Sequence, residues 1–218
     1  NLFFFILIFS STLMILRLKN PFSSMGFSFS DSSSLDEIVY SSLSLAIIDK
    51  QSILSADYFS TLPLYSVVQN ILTLASFSLF DVSYISLRIP ALAAYLILVI
   101  MLFKICSHIK LQESFKYLLV CVFSLDPGIW FFSGTNHPII FQCVGVLTFT
   151  IVLLKFNFNP FYMGICSTLC FTMFYPPNAF LVLAGFIFYI LKYYIQLKTL
   201  FRYLIYYILG IFIGLILS

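Results

Sequence analysis

The sequence predicts an all-α polytopic membrane protein, and composition is the first reason. Of its 218 residues, 61% are hydrophobic and only 9% are charged, whereas roughly a quarter of the residues in a soluble domain are charged. The mean hydropathy is +1.07. A soluble domain of this length could not keep so much apolar surface away from water. The second reason is a series of apolar stretches, most of them near the length of a membrane span.

The first apolar stretch covers residues 2–16, and Arg17 and Lys19 end it. We interpret residues 1–17 as the first transmembrane helix, because no small-residue cleavage site follows the apolar core. The chain begins at Asn1 and stops inside an apolar run. We therefore interpret it as a fragment of a longer protein.

A large first loop, residues 18–86, follows and is predicted to carry two juxtamembrane helices. Near residues 36–48, apolar side chains stand among Ser and Tyr in an amphipathic pattern that is typical of a helix lying on a membrane. The second helix is predicted near residues 63–80. Its middle holds Gln69 and Asn70, which favours a surface helix over a span.

Six further transmembrane helices are predicted within residues 87–218, which makes about seven in all. Each is near the length that a bilayer requires. They cover residues 87–106, 115–133, 138–155, 160–175, 178–195 and 200–218.

Basic residues are sorted between alternate loops. Lys110, Lys155 and Lys198 mark three loops, whereas residues 124–138 and 173–178 contain neither Lys nor Arg. The positive-inside rule places the Lys-bearing loops in the cytoplasm. The N-terminus is then cytoplasmic, and the first large loop is periplasmic, extracellular or lumenal. The two basic residues after the first span are the exception, and the later loops outweigh them.

Charged residues frame the first loop. Asp36 and Glu37 stand near its start, and Arg88 stands where the next span begins. A carboxylate could act as general base for an acceptor hydroxyl, and a planar guanidinium is suited to holding a phosphate. From the residues alone there are two alternatives: the acidic pair charges a helix N-terminus, and Arg88 is a snorkelling anchor.

Two other groups are weaker candidates. His137, at the mouth of a span, could contact a phosphate or an acceptor, or it could be structural. Cys166 and Cys170 are four residues apart on one helix face, but two thiols without further ligands do not make a zinc site. We therefore predict no metal site. The five cysteines lie in or beside apolar spans and indicate no disulfide framework.

These residues form an ordered series that resembles a known family. The series is an Asp36-Glu37 pair with Tyr40 downstream, two surface helices, Pro63-Leu64-Tyr65 opening the second helix, and Leu87-Arg88-Ile89-Pro90 leading into a span. It resembles the N-terminal module of the GT-C glycosyltransferases, particularly the protein O-mannosyltransferases and the lipid A aminoarabinose transferases. The resemblance covers nearly all of the chain in order and spacing.

The resemblance implies a fold and an activity. The fold has one span, a large outer loop with two juxtamembrane helices, and further spans. The activity is transfer of a sugar from a polyprenyl-phosphate donor to an acceptor on the outer or lumenal face. Asp36 and Glu37 would be catalytic, and Arg88, Tyr40 and His137 would bind substrate.

Two departures from the family pattern favour an alternative function. Thr61-Leu62-Pro63 lacks the His or Lys that many relatives carry before proline, and residues 133–138 lack the further charged residues of their second outer loop. The alternative is a catalytically inactive, GT-C-like structural or accessory subunit of a membrane complex. A transporter is a third reading, but no charged residue lies well inside a span.

The predicted partners follow from this reading. They are the lipid bilayer, the lipid-linked sugar donor and a protein or lipid acceptor. No basic run indicates nucleic acid. No cofactor is expected with certainty beyond the donor substrate, and the need for a divalent metal stays open.

Overall fold

A computed structural model describes residues 2–18, 44, 47–48, 66–126, 128–129, 132, 134–174 and 176–218. Within these residues all regular secondary structure is helical, which confirms the predicted all-α class. The helices are α1 (Leu2–Leu18), α2 (Val67–Phe80), α3 (Tyr84–His108), α4 (Glu113–Ser124), α5 (Pro138–Lys155), α6 (Pro160–Leu169), α7 (Ala179–Tyr193) and α8 (Leu197–Leu217). A π-helical turn, Cys170–Phe174, continues α6, and a 3-10 turn, Pro176–Asn178, precedes α7.

Four helices in the described part of the chain are long and apolar enough to cross a membrane. They cover Ile85–His108, Pro138–Lys155, Pro176–Tyr193 and Leu197–Leu217. Each coincides with a predicted span, so the membrane class of the protein is supported. Two other apolar helices, Val67–Phe80 and Pro160–Phe174, are shorter. The count of about seven spans stays a prediction.

The chain forms two compact units, Asn1–Phe141 and Gln142–Ser218. In the first unit, α1, α3 and α4 share an apolar core in which Ile6, Tyr95, Val99 and Val120 are buried. The Tyr95 hydroxyl donates a 2.9 Å hydrogen bond to the Ser124 carbonyl at the end of α4. A buried phenol requires such a partner, and this bond fixes α4 against the middle of α3.

A short turn joins α2 to α3. Asp81 has a positive φ of 59°, which reverses the chain between the two helices. Ser83 then caps α3: its hydroxyl accepts from the Ser86 N–H, and the Ser86 hydroxyl accepts from the Ser83 N–H. This reciprocal pair satisfies two backbone donors at a helix start and places Arg88 in the second turn of α3.

In the second unit, α6 and α8 approach closely through small residues. A Cβ on Gly210 would lie 3.1 Å from the Gly164 Cα, and one on Gly214 would lie 2.8 Å from the Thr168 Cβ. Small residues four apart permit this approach, as in many membrane helix pairs. Gly164 lies beside Gly210 and Thr168 beside Gly214, so the two helices run in the same direction.

Two tyrosines complete the core of the second unit. The Tyr207 hydroxyl donates 2.8 Å to the Val182 carbonyl, and the Tyr189 hydroxyl donates 2.6 Å to the Phe158 carbonyl. Both side chains are fully buried. Each therefore has the hydrogen bond that a phenol needs away from water.

Candidate functional site

The helix α2 buries its polar face and exposes its apolar face. Gln69 and Thr73 are 0% exposed, and Asn70 and Ser76 are also buried, whereas Ile71 is 60% exposed. A helix at a water-facing surface shows the reverse arrangement. Contact between the apolar face and lipid explains this pattern, because lipid accepts apolar side chains while the polar face needs protein partners.

Asn136, in the segment before α5, supplies two of those partners. Gln69 Nε2 donates 2.6 Å to the Asn136 carbonyl, and Asn136 Nδ2 donates 3.0 Å to Thr73 Oγ1. All three residues are buried. These bonds join segments more than sixty residues apart, so they fix the segment before α5 against α2.

Asn70 makes a second set of bonds on the same face. The Ser44 hydroxyl lies 2.9 Å from Asn70 Oδ1 and 3.0 Å from the Asn70 carbonyl. Asn70 Nδ2 donates 3.1 Å to the Ser66 carbonyl. We call Ser44, Ser66, Gln69, Asn70, Thr73, Ser76, Ser86 and Asn136 the polar seam, because these buried residues line one side of α2.

The polar seam includes one residue of α3, Ser86, which lies four residues before a proline inside that helix. Pro90 lies inside α3 and has no N–H, so it cannot donate to the carbonyl four residues earlier, which is that of Ser86. The Ser76 hydroxyl donates 2.7 Å to this carbonyl. A side chain of α2 thereby replaces the helical bond that Pro90 removes, as membrane helices with internal proline require.

Arg88 lies in the same turn of α3 and is 8% exposed. Ser86 and Leu87 beside it are buried as well. Three successive helical residues point in directions that span about 200° of the helix surface, so this turn is covered on most sides. Arg88, the residue predicted to hold a phosphate, is therefore largely buried.

His137 has a structural role in this geometry. Its Nδ1 accepts a 3.2 Å hydrogen bond from the Ile139 N–H in the first turn of α5. Its ring lies 4.9 Å from the ring of Phe132, centroid to centroid. Because Nδ1 accepts, the neutral ring carries its proton on Nε2. His137 thus caps a helix, and its neighbour Asn136 binds α2.

Two of the predicted site residues, Arg88 and His137, lie in the first compact unit. In sequence, Arg88 is two residues after Ser86 and His137 is one residue after Asn136, and both of these belong to the polar seam. Asp36, Glu37 and Tyr40 lie outside the described residues. Among the residues described, no three His, Cys, Asp or Glu side chains are grouped as a metal site requires.

Gln69 and Asn70 stand out in the sequence as polar residues in the middle of a helix, but their partners could not be predicted from it. The signal for the buried face was present, because Gln69, Thr73 and Ser76 follow a helical spacing of four and three residues. The signal for Asn136 was weaker, because a lone Asn before a helix is most often read as a local cap or turn. Only the fold brings it to α2.

No protein-family model, no curated protein and no solved structure matches the chain. The resemblance to the GT-C glycosyltransferases therefore depends on the ordered motifs of the sequence alone.

Proposed function

We propose that the protein transfers a sugar from a polyprenyl-phosphate donor to an acceptor at the outer or lumenal membrane surface. The observation that carries the proposal is Arg88, a largely buried arginine at the start of an apolar helix long enough to cross a membrane. The ordered series of motifs around Arg88 gives the reaction class.

A buried guanidinium is suited to a lipid phosphate. Its planar fork of N–H donors can bind two phosphate oxygens at once. Charged hydrogen bonds are stronger where protein excludes water. The low exposure of Arg88 supports a binding role over a side chain that merely extends into water.

The depth of Arg88 agrees with the level of a lipid headgroup. The 25 residues of α3 give a length of about 37 Å at about 1.5 Å per residue, compared with a hydrocarbon core of about 30 Å. A centred α3 would extend about 3–4 Å beyond each face. Arg88 is the fifth residue, about 6 Å from the helix start, so its long side chain can reach the phosphates.

The acidic pair completes the proposed chemistry. Asp36 would accept the proton of the acceptor hydroxyl, Glu37 would stand beside it, and Tyr40 would contact substrate, as the resemblance implies. The distribution of Lys among the loops favours a position of this loop outside the cytoplasm and of the N-terminus inside. The acceptor would then arrive from the aqueous side while the donor phosphate stays at headgroup level.

Sugar transfer from polyprenyl-phosphate sugars, measured with the protein in membranes, tests the proposal. Asp36→Asn should lower the rate roughly a hundred- to ten-thousand-fold, because a positioned base contributes that much. Arg88→Lys should lower it roughly ten- to a hundred-fold, because an ammonium keeps the charge and loses the bidentate fork. Arg88→Gln should lower it further.

Lys104→Gln is the matched control, since Lys104 is an exposed cation on the same helix. It should transfer at the wild-type rate. The thermal stability of every variant is measured in parallel, so that a loss of folding is not counted as a loss of transfer. Wild-type transfer by a folded Asp36→Asn variant removes the catalytic assignment.

One observation favours the alternative of an inactive GT-C-like subunit in a membrane complex. Asn136 and His137, two polar residues of the segment before α5, both make structural hydrogen bonds. An active site in this segment would direct such groups toward substrate. Two results together would select this alternative. The wild-type protein transfers no sugar from any polyprenyl-phosphate donor, and a partner protein co-purifies with it.

A further inference from the structure

The second unit contains a groove that the proposed transfer reaction does not use. It has a volume of about 890 Å³ and lies where α6 begins, beside the first half of α8. Lys198, Arg202, Tyr206 and Leu209 of α8 line it, and Tyr162 of α6 lies opposite. The groove therefore combines two cations with aromatic and aliphatic side chains.

The lining residues of α8 change in character along the helix. Lys198, Arg202, Tyr206 and Leu209 are separated by four, four and three residues, so they share one helix face. From Lys198 to Leu209 this face is about 16 Å long. One end of the groove is cationic, the middle is aromatic and the other end is aliphatic.

The cationic end projects past the start of α6. Phe161, in the first turn of α6, lies against Gly210 of α8, whereas α8 begins at Leu197. The first turns of α8 therefore extend roughly 20 Å beyond this contact. The cations lie at the level of lipid headgroups if the apolar part of α8 lies within the bilayer.

No carboxylate of this unit can neutralise the groove. The sequence from Gln142 to Ser218 contains Lys155, Lys192, Lys198 and Arg202 but not one Asp or Glu. Both groove cations are exposed, and the Arg202 guanidinium lies 5.8 Å from the Tyr206 ring centroid. An anion that balances this charge must come from outside the unit.

We propose that this groove binds the phosphate of an anionic phospholipid. Lys198 and Arg202 hold the phosphate ester, Tyr206 lies at the glycerol level, and an acyl chain lies along Leu209. Basic pockets between membrane helices bind phospholipid headgroups in this way. The source is the lipid and not a soluble phosphate ester, because the aliphatic end of the groove matches an acyl chain.

Native mass spectrometry of the protein released from phosphatidylcholine nanodiscs, with and without phosphatidylglycerol, tests the proposal. The wild-type protein should retain phosphatidylglycerol. Lys198→Ala with Arg202→Ala should weaken retention roughly thirtyfold, since each cation near a membrane contributes roughly fivefold. Lys198→Arg with Arg202→Lys keeps both charges and should retain the lipid.

Lys192→Ala is the matched control, because Lys192 is an exposed cation of the same unit whose ammonium lies 5.4 Å from the Phe188 ring centroid. It should bind like wild type. Equal retention by the double alanine variant and by wild type overturns the proposal. Displacement of the lipid by soluble glycerol phosphate at equal concentration overturns the assignment to a phospholipid. These lipid-binding results do not depend on the outcome of the sugar-transfer assay, because the groove residues and Arg88 are distant in sequence and belong to different compact units.

Discussion

At the scale of single residues, the junction of α2 and α3 depends on one hydrogen bond in which a side-chain donor replaces a missing backbone donor. Pro90 removes a helical donor, and the Ser76 hydroxyl supplies another to the Ser86 carbonyl. An unsatisfied carbonyl in an apolar environment costs far more than a made bond contributes. The proline and the serine are therefore coupled: Ser76 should matter only while Pro90 is present, and the cost of Pro90 should rise when Ser76 is absent.

A double-mutant cycle at this junction should show that dependence. Ser76→Ala should lower the free energy of unfolding by about 1–3 kcal/mol in the wild type, because the Ser86 carbonyl loses its donor. In a Pro90→Ala background the new N–H restores the helical bond, so Ser76→Ala should have little effect. Unfolding in denaturing detergent, measured for all four proteins, gives the coupling energy.

Ser78→Ala is the control for this cycle. The Ser78 hydroxyl is exposed and bonds within α2, to the Leu74 carbonyl. Its removal should change stability equally in both backgrounds and by a small amount. If Ser76→Ala lowers the free energy of unfolding equally in both backgrounds, the inference that Ser76 replaces the donor removed by Pro90 is wrong.

At the scale of elements, the close approach of two helices in the second unit depends on glycines whose spacing can be seen in the sequence. Gly210 and Gly214 are four residues apart in an apolar helix, a spacing typical of tight membrane helix contacts. No helix contact was predicted from this spacing. The spacing alone does not identify the partner helix, because Gly164 and Thr168 form a similar small-residue pair that only the packed structure selects.

Substitution of Gly210 tests this contact. Gly210→Ala would bring a methyl group against the Phe161 carbonyl and the Gly164 Cα. Overpacking of this kind costs about 1–3 kcal/mol, so the variant should unfold at a lower temperature. Phe212→Ala changes a side chain that is exposed on the same turn and should shift the melting temperature much less. Similar shifts for the two variants would contradict a tight α6–α8 contact.

At the scale of the whole molecule, composition predicted the class because bilayer burial acts on every residue of a span. The segment 138–155 and the helix Pro138–Lys155 agree at both ends, where Pro138 and Lys155 mark the boundaries. Predicted span 115–133 overlaps the 12-residue helix α4, which begins at Glu113 and ends at Ser124. The hydropathy pattern did not predict the end of α4 at Ser124. The turn after α4 depends on one residue, Asp126, whose carboxylate accepts a hydrogen bond from the Ile129 N–H.

The candidate site was predictable only in part, for a similar reason. Arg88 could be selected because a charge at the start of an apolar span is conspicuous in sequence. Its enclosure, and the bonds of Asn136 to α2, could not be selected because they depend on long-range packing. Pairs separated by more than sixty residues leave no local pattern.

Binding of polyprenyl phosphate to the protein in nanodiscs tests the central claim, that Arg88 holds the donor phosphate, most directly. All proteins carry Lys198→Ala and Arg202→Ala, so that the groove of the second unit does not contribute. We predict that Arg88→Gln binds at least roughly tenfold more weakly than the parent, because charged hydrogen bonds to the phosphate are lost. Lys104→Gln should bind like the parent. Equal affinity of a folded Arg88→Gln variant and the parent would contradict the claim.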